Sequence, residues 1–216
     1  MQQIDGIVFG EDPRQGYVDG NIFYHPELRF QFPVPEGWKV NNTASQVQMF
    51  NQDQNAVILF SMAPEKTPSA AAQAFIAESK AAVVKSESTR VNGMTAYRII
   101  SDVTTEQGVI RVMSYFIQKG QTVYAFLGYT EQSRFNGYSS VFEQTMGRFN
   151  NLTDSRKINV KADRLDVRRT TTQGSLRQAL RKFGEPESQG EALAIINGMK
   201  LDDSVPNNTF LKVVVK

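Results

Sequence analysis

Apolar and polar positions alternate along most of the N-terminal part of the chain, and helical spacing brackets the alternation. Residues 28–35, Leu-Arg-Phe-Gln-Phe-Pro-Val-Pro, carry the period of a strand, and Pro33 and Pro35 confine it to an edge or to its end. Glu36 and Gly37 turn the chain, and Trp38-Lys39-Val40 resumes the alternation. Residues 46–62 read as a hairpin whose tip is the polar run Asn51-Gln52-Asp53-Gln54-Asn55. Further strands are expected at 96–104, 109–118 and 122–130, joined by turns at Gln107-Gly108 and Lys119-Gly120-Gln121. Thr67-Pro68-Ser69 caps an alanine-rich helix over 70–84, with Ala74, Phe75, Ala81 and Ala82 in its apolar stripe. A second helix over 131–149 buries Phe135, Tyr138, Val141, Phe142 and Met146. Antiparallel strands with helices before and after them predict an α+β sandwich.

The polar run 149–155, Phe-Asn-Asn-Leu-Thr-Asp-Ser, marks a domain boundary. Beyond it, residues 165–172 alternate as a strand, and Ser175 stands where a helix N-cap belongs. Leu176, Leu180 and Phe183 share one helical face that stops at Gly184, with Pro186 following. A second helix over 191–198 stops at Asn197-Gly198, residues 201–208 form a loop, and residues 209–215 form a last strand. The order is β-α-α-β. At the other end, Ile4, Ile7, Val8 and Phe9 precede Gly-Glu-Asp-Pro-Arg-Gln-Gly, which reads as a helix tail running into a turn, within an N-terminal arm. The expected organisation is an arm over 1–22, an α+β domain over 23–155, and a basic linker with a small module over 156–216.

Charge sharpens that division. The net charge of +2 combines 12 basic and 15 acidic residues up to Ser155 with 12 basic and 7 acidic from Arg156 onward. The second region is therefore basic, at +5, and the first mildly acidic, at −3. No apolar run approaches the roughly 20 residues of a membrane-spanning helix. The chain has no cysteine and one histidine, His25. Disulfides, thiolate catalysis and a two-histidine HExxH zinc helix are thereby excluded. His25, beside Pro26 at the start of a strand, reads as structural, and neither GxxxxGK[ST] nor GxGxxG occurs. The residues show no enzyme and no metal site in this chain.

Three stretches carry resemblances. Phe30-Gln-Phe-Pro-Val-Pro-Glu-Gly-Trp38 resembles the opening of PsbP-like domains, which implies an antiparallel sheet flanked by helices, with Trp38 packed at the end of the sheet. Residues 172–176, the Gly184 and Gly198 helix ends and Val205-Pro206 ahead of the last strand resemble LysM modules, with Gly174-Ser175-Leu176 where those have Gly-Asp-Thr. Taken with residues 4–16, and above all Gly10-Glu-Asp-Pro-Arg-Gln-Gly16, the whole resembles the region that follows the catalytic domain in exported bacterial HtpX-like zinc metallopeptidases. That resemblance implies a periplasmic or cell-envelope protein whose zinc lies in the parent peptidase domain, outside this chain. Its partners would be that peptidase domain and peptidoglycan or an envelope protein.

The LysM resemblance also implies a ligand groove between two loops: Thr172, Gln173, Gly174, Ser175 and Leu176 on one side, and Asn197, Gly198, Met199, Lys200 and Leu201 on the other. No aromatic residue stands in either loop to stack on a sugar ring. The rival reading is a free-standing module that binds envelope glycan, or nucleic acid through the basic stretch 156–182. Phosphate contacts by those cations would make binding steeply salt-dependent. Aromatic residues for base stacking are absent from that stretch, which counts against nucleic acid.

Overall fold

The computed structural model describes residues 6–10 and 12–215, and these form a mixed α+β protein with antiparallel sheets. In chain order the larger unit, residues 15–159, contains β1 (Tyr17–Asp19), β2 (Ile22–His25), β3 (Phe30–Pro33), β4 (Lys39–Asn42), β5 (Gln46–Phe50) and β6 (Ala56–Ala63). It continues with α1 (Pro68–Ser79), β7 (Ala82–Val91), β8 (Met94–Thr105), β9 (Gly108–Lys119), β10 (Thr122–Glu131), α2 (Phe135–Met146), β11 (Asn150–Asn151) and α3 (Ser155–Ile158). Strands β4-β5-β6-β10-β9-β8-β7 form a seven-stranded sheet, and β1-β2-β3-β11 a four-stranded one.

Period-two alternation builds the core between these layers. Phe23, Phe30 and Phe32 of the small sheet meet Phe60, Tyr124 and Phe126 of the large one. Phe30 is 1% exposed and lies 5.0, 5.2 and 5.4 Å, centroid to centroid, from Phe60, Tyr124 and Phe149. Next along β10, Val123 and Ala125 point to the opposite face, where Ala71, Ala72 and Phe75 of α1 cover them together with Ile99 and Phe116. Helix α2 lies on the phenylalanine side, close to β10. A Cβ at Gly128 would stand 2.5 Å from Met146 Cε and 2.8 Å from Phe142 Cγ, so only glycine permits that approach. Trp38 packs edge-on against Tyr138 and Phe142 of α2.

The second unit comprises the described part of residues 1–14 with residues 160–215. It contains β12 (Arg164–Arg169), β13 (Gly174–Ser175), α4 (Leu176–Phe183), α5 (Gly190–Asn197), β14 (Ser204–Val205) and β15 (Phe210–Val215). Strands β12 and β15 pair antiparallel, as do β13 and β14. Leu176, Leu180, Leu193, Val205, Leu211 and Val213 form its core. Ser175 and Gln178 make a reciprocal capping box at the start of α4. The helices end on left-handed Gly184 and Gly198.

Several elements differ from the sequence reading, each for a physical reason. The alanine-rich helix begins as expected, with Thr67 Oγ1 accepting from the Ala70 N–H. It ends at Ser79 rather than Val84, because Lys80 takes a left-handed conformation. The following Val83, Val84, Thr89 and Val91 join a ten-residue strand, where β-branched side chains fit the pleat. The second helix is shorter than 131–149: residues 132–134 form a 3-10 turn, and Phe149 lies beyond the helix with no exposed surface. The expected helix tail at the N-terminus is not helical among its described residues: Gly6 turns with φ 81° and Val8 bridges Arg164. Gly6 N–H donates to Leu165 O, Leu165 N–H to Ile7 O, and Phe9 N–H to Asp163 O, which places residues 6–9 beside β12. Ile4 and Glu11 of that stretch lie outside the described residues. The described residues of the stretch read as one arm over 1–22 thus divide between the two units after Arg14, and the polar run 149–155 falls within the larger one, which extends to residue 159.

Candidate functional site

In the small unit the first candidate loop and the start of α4 lie against residues 201–205, which begin where the second candidate loop ends. Leu176 N–H donates to Asp203 O at 3.0 Å and Arg177 N–H to Leu201 O at 2.9 Å. Gly174 and Ser175 pair with Val205 and Ser204. The start of α4 is therefore stitched to the segment after α5, and those backbone donors are already used.

The ten candidate residues divide by what they do locally. Leu176 and Leu201 belong to the hydrophobic core. Asn197 is tied to its surroundings: Nδ2 donates to Leu193 O and Lys212 O, and Oδ1 accepts from Lys212 N–H. Ser175 Oγ caps α4, and Gly198 supplies the left-handed end of α5. Met199 packs partly on the core. Thr172, Gln173 and Lys200 are exposed. A ligand lying along these loops would meet those three.

A pocket opens on the other side of the first loop, between residues 170–174 and the Gln178, Ala179, Lys182 and Phe183 face of α4. It holds about 310 Å³, counting its solvent-open mouth. Thr170 anchors its base. This residue is 3% exposed, its Oγ1 donates to Pro206 O and accepts from Thr209 N–H, and its backbone pairs with Thr209 and Asn208. At the rim, Lys182 Nζ donates to Thr172 Oγ1 at 2.5 Å. Of these residues, Thr172, Gln173 and Gly174 were legible as candidates, and Lys182 only as one charge in a basic stretch. Its i, i+4 spacing from Gln178 on α4 is the signal that could have found it.

The basic stretch is largely paired. Arg156 pairs with Asp154, Lys157 with Asp19, Arg168 with Asp166, and both Arg177 and Arg181 with Glu187. Hydrogen bonds from Arg181 and Arg177 hold the Glu187 carboxyl below the usual carboxylate range. Arg169 stacks on Phe210 at 4.6 Å.

Polar clusters in the larger unit serve its architecture. Tyr115 OH donates to Glu143 Oε1 and Arg98 Nη2 to Glu143 Oε2, each at 2.5 Å, which ties α2 to β8 and β9. Burial and, after it, Glu143 push the Tyr115 hydroxyl upward, so it stays a donor. His25 Nδ1 accepts from Leu28 N–H at 3.2 Å, and burial lowers its pKa. A nitrogen so engaged does not fit a zinc ligand. Among the described residues no group of three or more His, Cys, Asp or Glu side chains is placed to hold a metal ion, and no helix is long and apolar enough to cross a membrane.

No family model and no curated protein matches the chain. Solved structures similar to it include cyanobacterial PsbP from Synechocystis sp. PCC 6803, at 16% identity and a TM-score of 0.48 over 63% of this chain and 91% of that one. A Bacteroides thetaiotaomicron VPI-5482 protein is similar at 11% identity and a TM-score of 0.49, over 87% of this chain and 64% of that one. LpqN, involved in cell envelope biogenesis of Mycobacterium tuberculosis, is similar at 9% identity and a TM-score of 0.39, over 57% and 83% respectively.

Proposed function

We propose that the chain is a non-catalytic recognition region from the C-terminal part of an exported zinc-dependent metallopeptidase, acting in the periplasm or cell envelope on substrate, cell wall or a partner protein. The observation that carries recognition is the small unit: two helices between paired strands, with residues 174–177 held against residues 201–205 and Thr172, Gln173 and Lys200 exposed. This arrangement supports a LysM-like module. The missing aspartate of the family pattern leaves backbone groups and these side chains to supply contacts. The parentage is supported by the Gly10 to Gly16 stretch, and zinc belongs to the peptidase domain of that parent.

Nucleic acid is the weaker alternative. A phosphate backbone would have to displace Asp154, Asp19, Asp166 and Glu187 from the cations of the basic stretch before gaining their charge. The parentage is tested by the genomic reading frame upstream of Met1. An in-frame HExxH helix within a few hundred residues is expected, and a stop codon with no such motif contradicts it. Recognition itself is tested by sedimentation with peptidoglycan sacculi.

A further inference from the structure

We infer that β7, the last strand of the seven-stranded sheet, pairs antiparallel with β7 of a second copy of this chain, about a two-fold axis through Ser86.

A sheet edge presents unpaired N–H and C=O groups, and the other edges among the described residues are short or covered. Strands β1, β11, β13 and β14 have three residues or fewer. β4 has four, and its Asn42 side chain donates to Gln15 O and Gly16 O. Residues 6–9 bond along the outer side of β12. On β15, Lys212 N–H donates to Asn197 Oδ1 and Val214 N–H to Glu185 Oε1, so two side chains occupy that edge. β7 is different. It runs ten residues and pairs with β8 on one side, and among the described residues no backbone group of it is bonded on the other. The turn at Asn92-Gly93 sets which groups face outward. With φ of 46° and 82° it is a two-residue hairpin turn that closes on a hydrogen-bonded Val91–Met94 pair. Bonded and non-bonded pairs alternate from there, so the N–H and C=O of Arg90, Ser88 and Ser86 point away from β8. Ser86 and Ser88 are small enough to admit another strand at the usual spacing of about 4.8 Å.

Charge and exposed apolar surface select the occupant and the register. Lys85 and Glu87 lie on one face of the strand, with Nζ and Oε2 3.5 Å apart. A second copy centred on Ser86 sets each Lys85 opposite the other copy's Glu87, twice by symmetry, and such opposite charges stabilise cross-strand pairs. Centring on Glu87 would oppose two carboxylates instead. Centring on Ser88 would leave Val83 and Val84 outside the pairing, although they are 45% and 55% exposed. The register about Ser86 overlaps residues 82–90 and takes in both valines. Val84 is the residue that the bulge between Val83 and Lys85 leaves without a β8 partner. One strand edge buries less than a standard interface, so the dimer is weak, with a Kd of about 100 μM.

Sedimentation equilibrium of the full chain between about 10 μM and about 1 mM is the first test, and the average mass should climb from one chain toward two. Amide hydrogen exchange locates the contact. The N–H groups of Ser86, Ser88 and Arg90 should slow about fivefold at about 1 mM relative to dilute protein, while those of Glu87 and Thr89, which face β8, should not change. Lys85→Glu opposes acidic side chains and should raise the Kd at least about tenfold, whereas Lys66→Glu, the same charge change off the strand, should not. Ser86→Pro removes an outward N–H at the axis without touching the β8 ladder and should leave the chain monomeric. Glu87→Lys alone should weaken association too, but an equimolar mixture with Lys85→Glu should restore it, since each strand then meets its opposite. If Glu87→Lys, which loses its bond from Arg98, does not fold, the other two variants decide. A chain that stays monomeric at about 1 mM, concentration-independent exchange at Ser86 and Ser88, or a dimer indifferent to Lys85→Glu and Ser86→Pro would each overturn the inference.

Discussion

Gly174 and Gln178 give a quantitative prediction about the small unit. Adding a methyl group at Gly174 brings a Cβ to 2.6 Å from Gln178 Oε1, so the Gln178 side chain must swing away and release the Ser175 N–H. Half of the capping box is then lost, which costs about 1 kcal/mol. Gln178→Ala removes the same bond directly and costs a similar amount. With Gln178 shortened, however, the Gly174 methyl meets nothing in its way. The double variant should therefore cost about 1 kcal/mol rather than about 2, a coupling of about 1 kcal/mol between neighbours. Because the chain has two units, a single unfolding midpoint would mix them. Native-state hydrogen exchange at core amides of the small unit, such as Leu180 and Val205, reads its opening separately. Each single variant should speed exchange roughly fivefold, and the double variant no more than that. Strictly additive effects would refute the close approach and with it the preformed wall of the pocket.

Other predictions concern the larger unit. Burial lowers the pKa of His25 below its ordinary 6.5. Below that value the unfolded chain takes up a proton that the folded chain resists, so stability falls as pH drops from about 6.5 toward the folded pKa. His25→Gln should remove this component, seen as a smaller loss of urea midpoint between about pH 7.5 and pH 5 than in the parent chain; identical losses contradict it. Gly128→Val should destabilise the unit by about 1–3 kcal/mol through collision with Met146 and Phe142, read as a lower urea midpoint. A neutral effect would show that α2 does not rest on β10 as described.

What the sequence revealed depended on how local the deciding contact was. The 46–50 and 56–63 hairpin, the three long strands and the capped start of α4 follow from period and turn chemistry within a few residues. The end of α1 did not. Ala81 and Ala82 extend an alanine row past Lys80, and only the left-handed backbone at Lys80 and pairing with β8 turn that row into a strand. Residues 6–9 were illegible for a stronger reason. Their partner, β12, lies more than 150 residues away, and no local propensity encodes that pairing. The loops at 172–176 and 197–201 were found through a family resemblance. Their own hydrogen bonding, which uses Asn197 and the Leu176 and Arg177 amides, became visible only with coordinates. The pocket joins Thr170 to Lys182 and Phe183, positions that composition counts as a strand end, a charge and a core residue.

The central claim, that this chain recognises the cell wall or a partner rather than catalysing a reaction, is tested most directly by sedimentation with purified peptidoglycan sacculi at low and high salt. The account predicts weak binding that survives high salt and drops on Gly174→Arg, and also on Lys200→Glu, an exposed change that leaves the core untouched. Binding abolished by salt and indifferent to both changes would place the contact on the basic stretch from Arg156 to Lys182 and contradict the loop-based account.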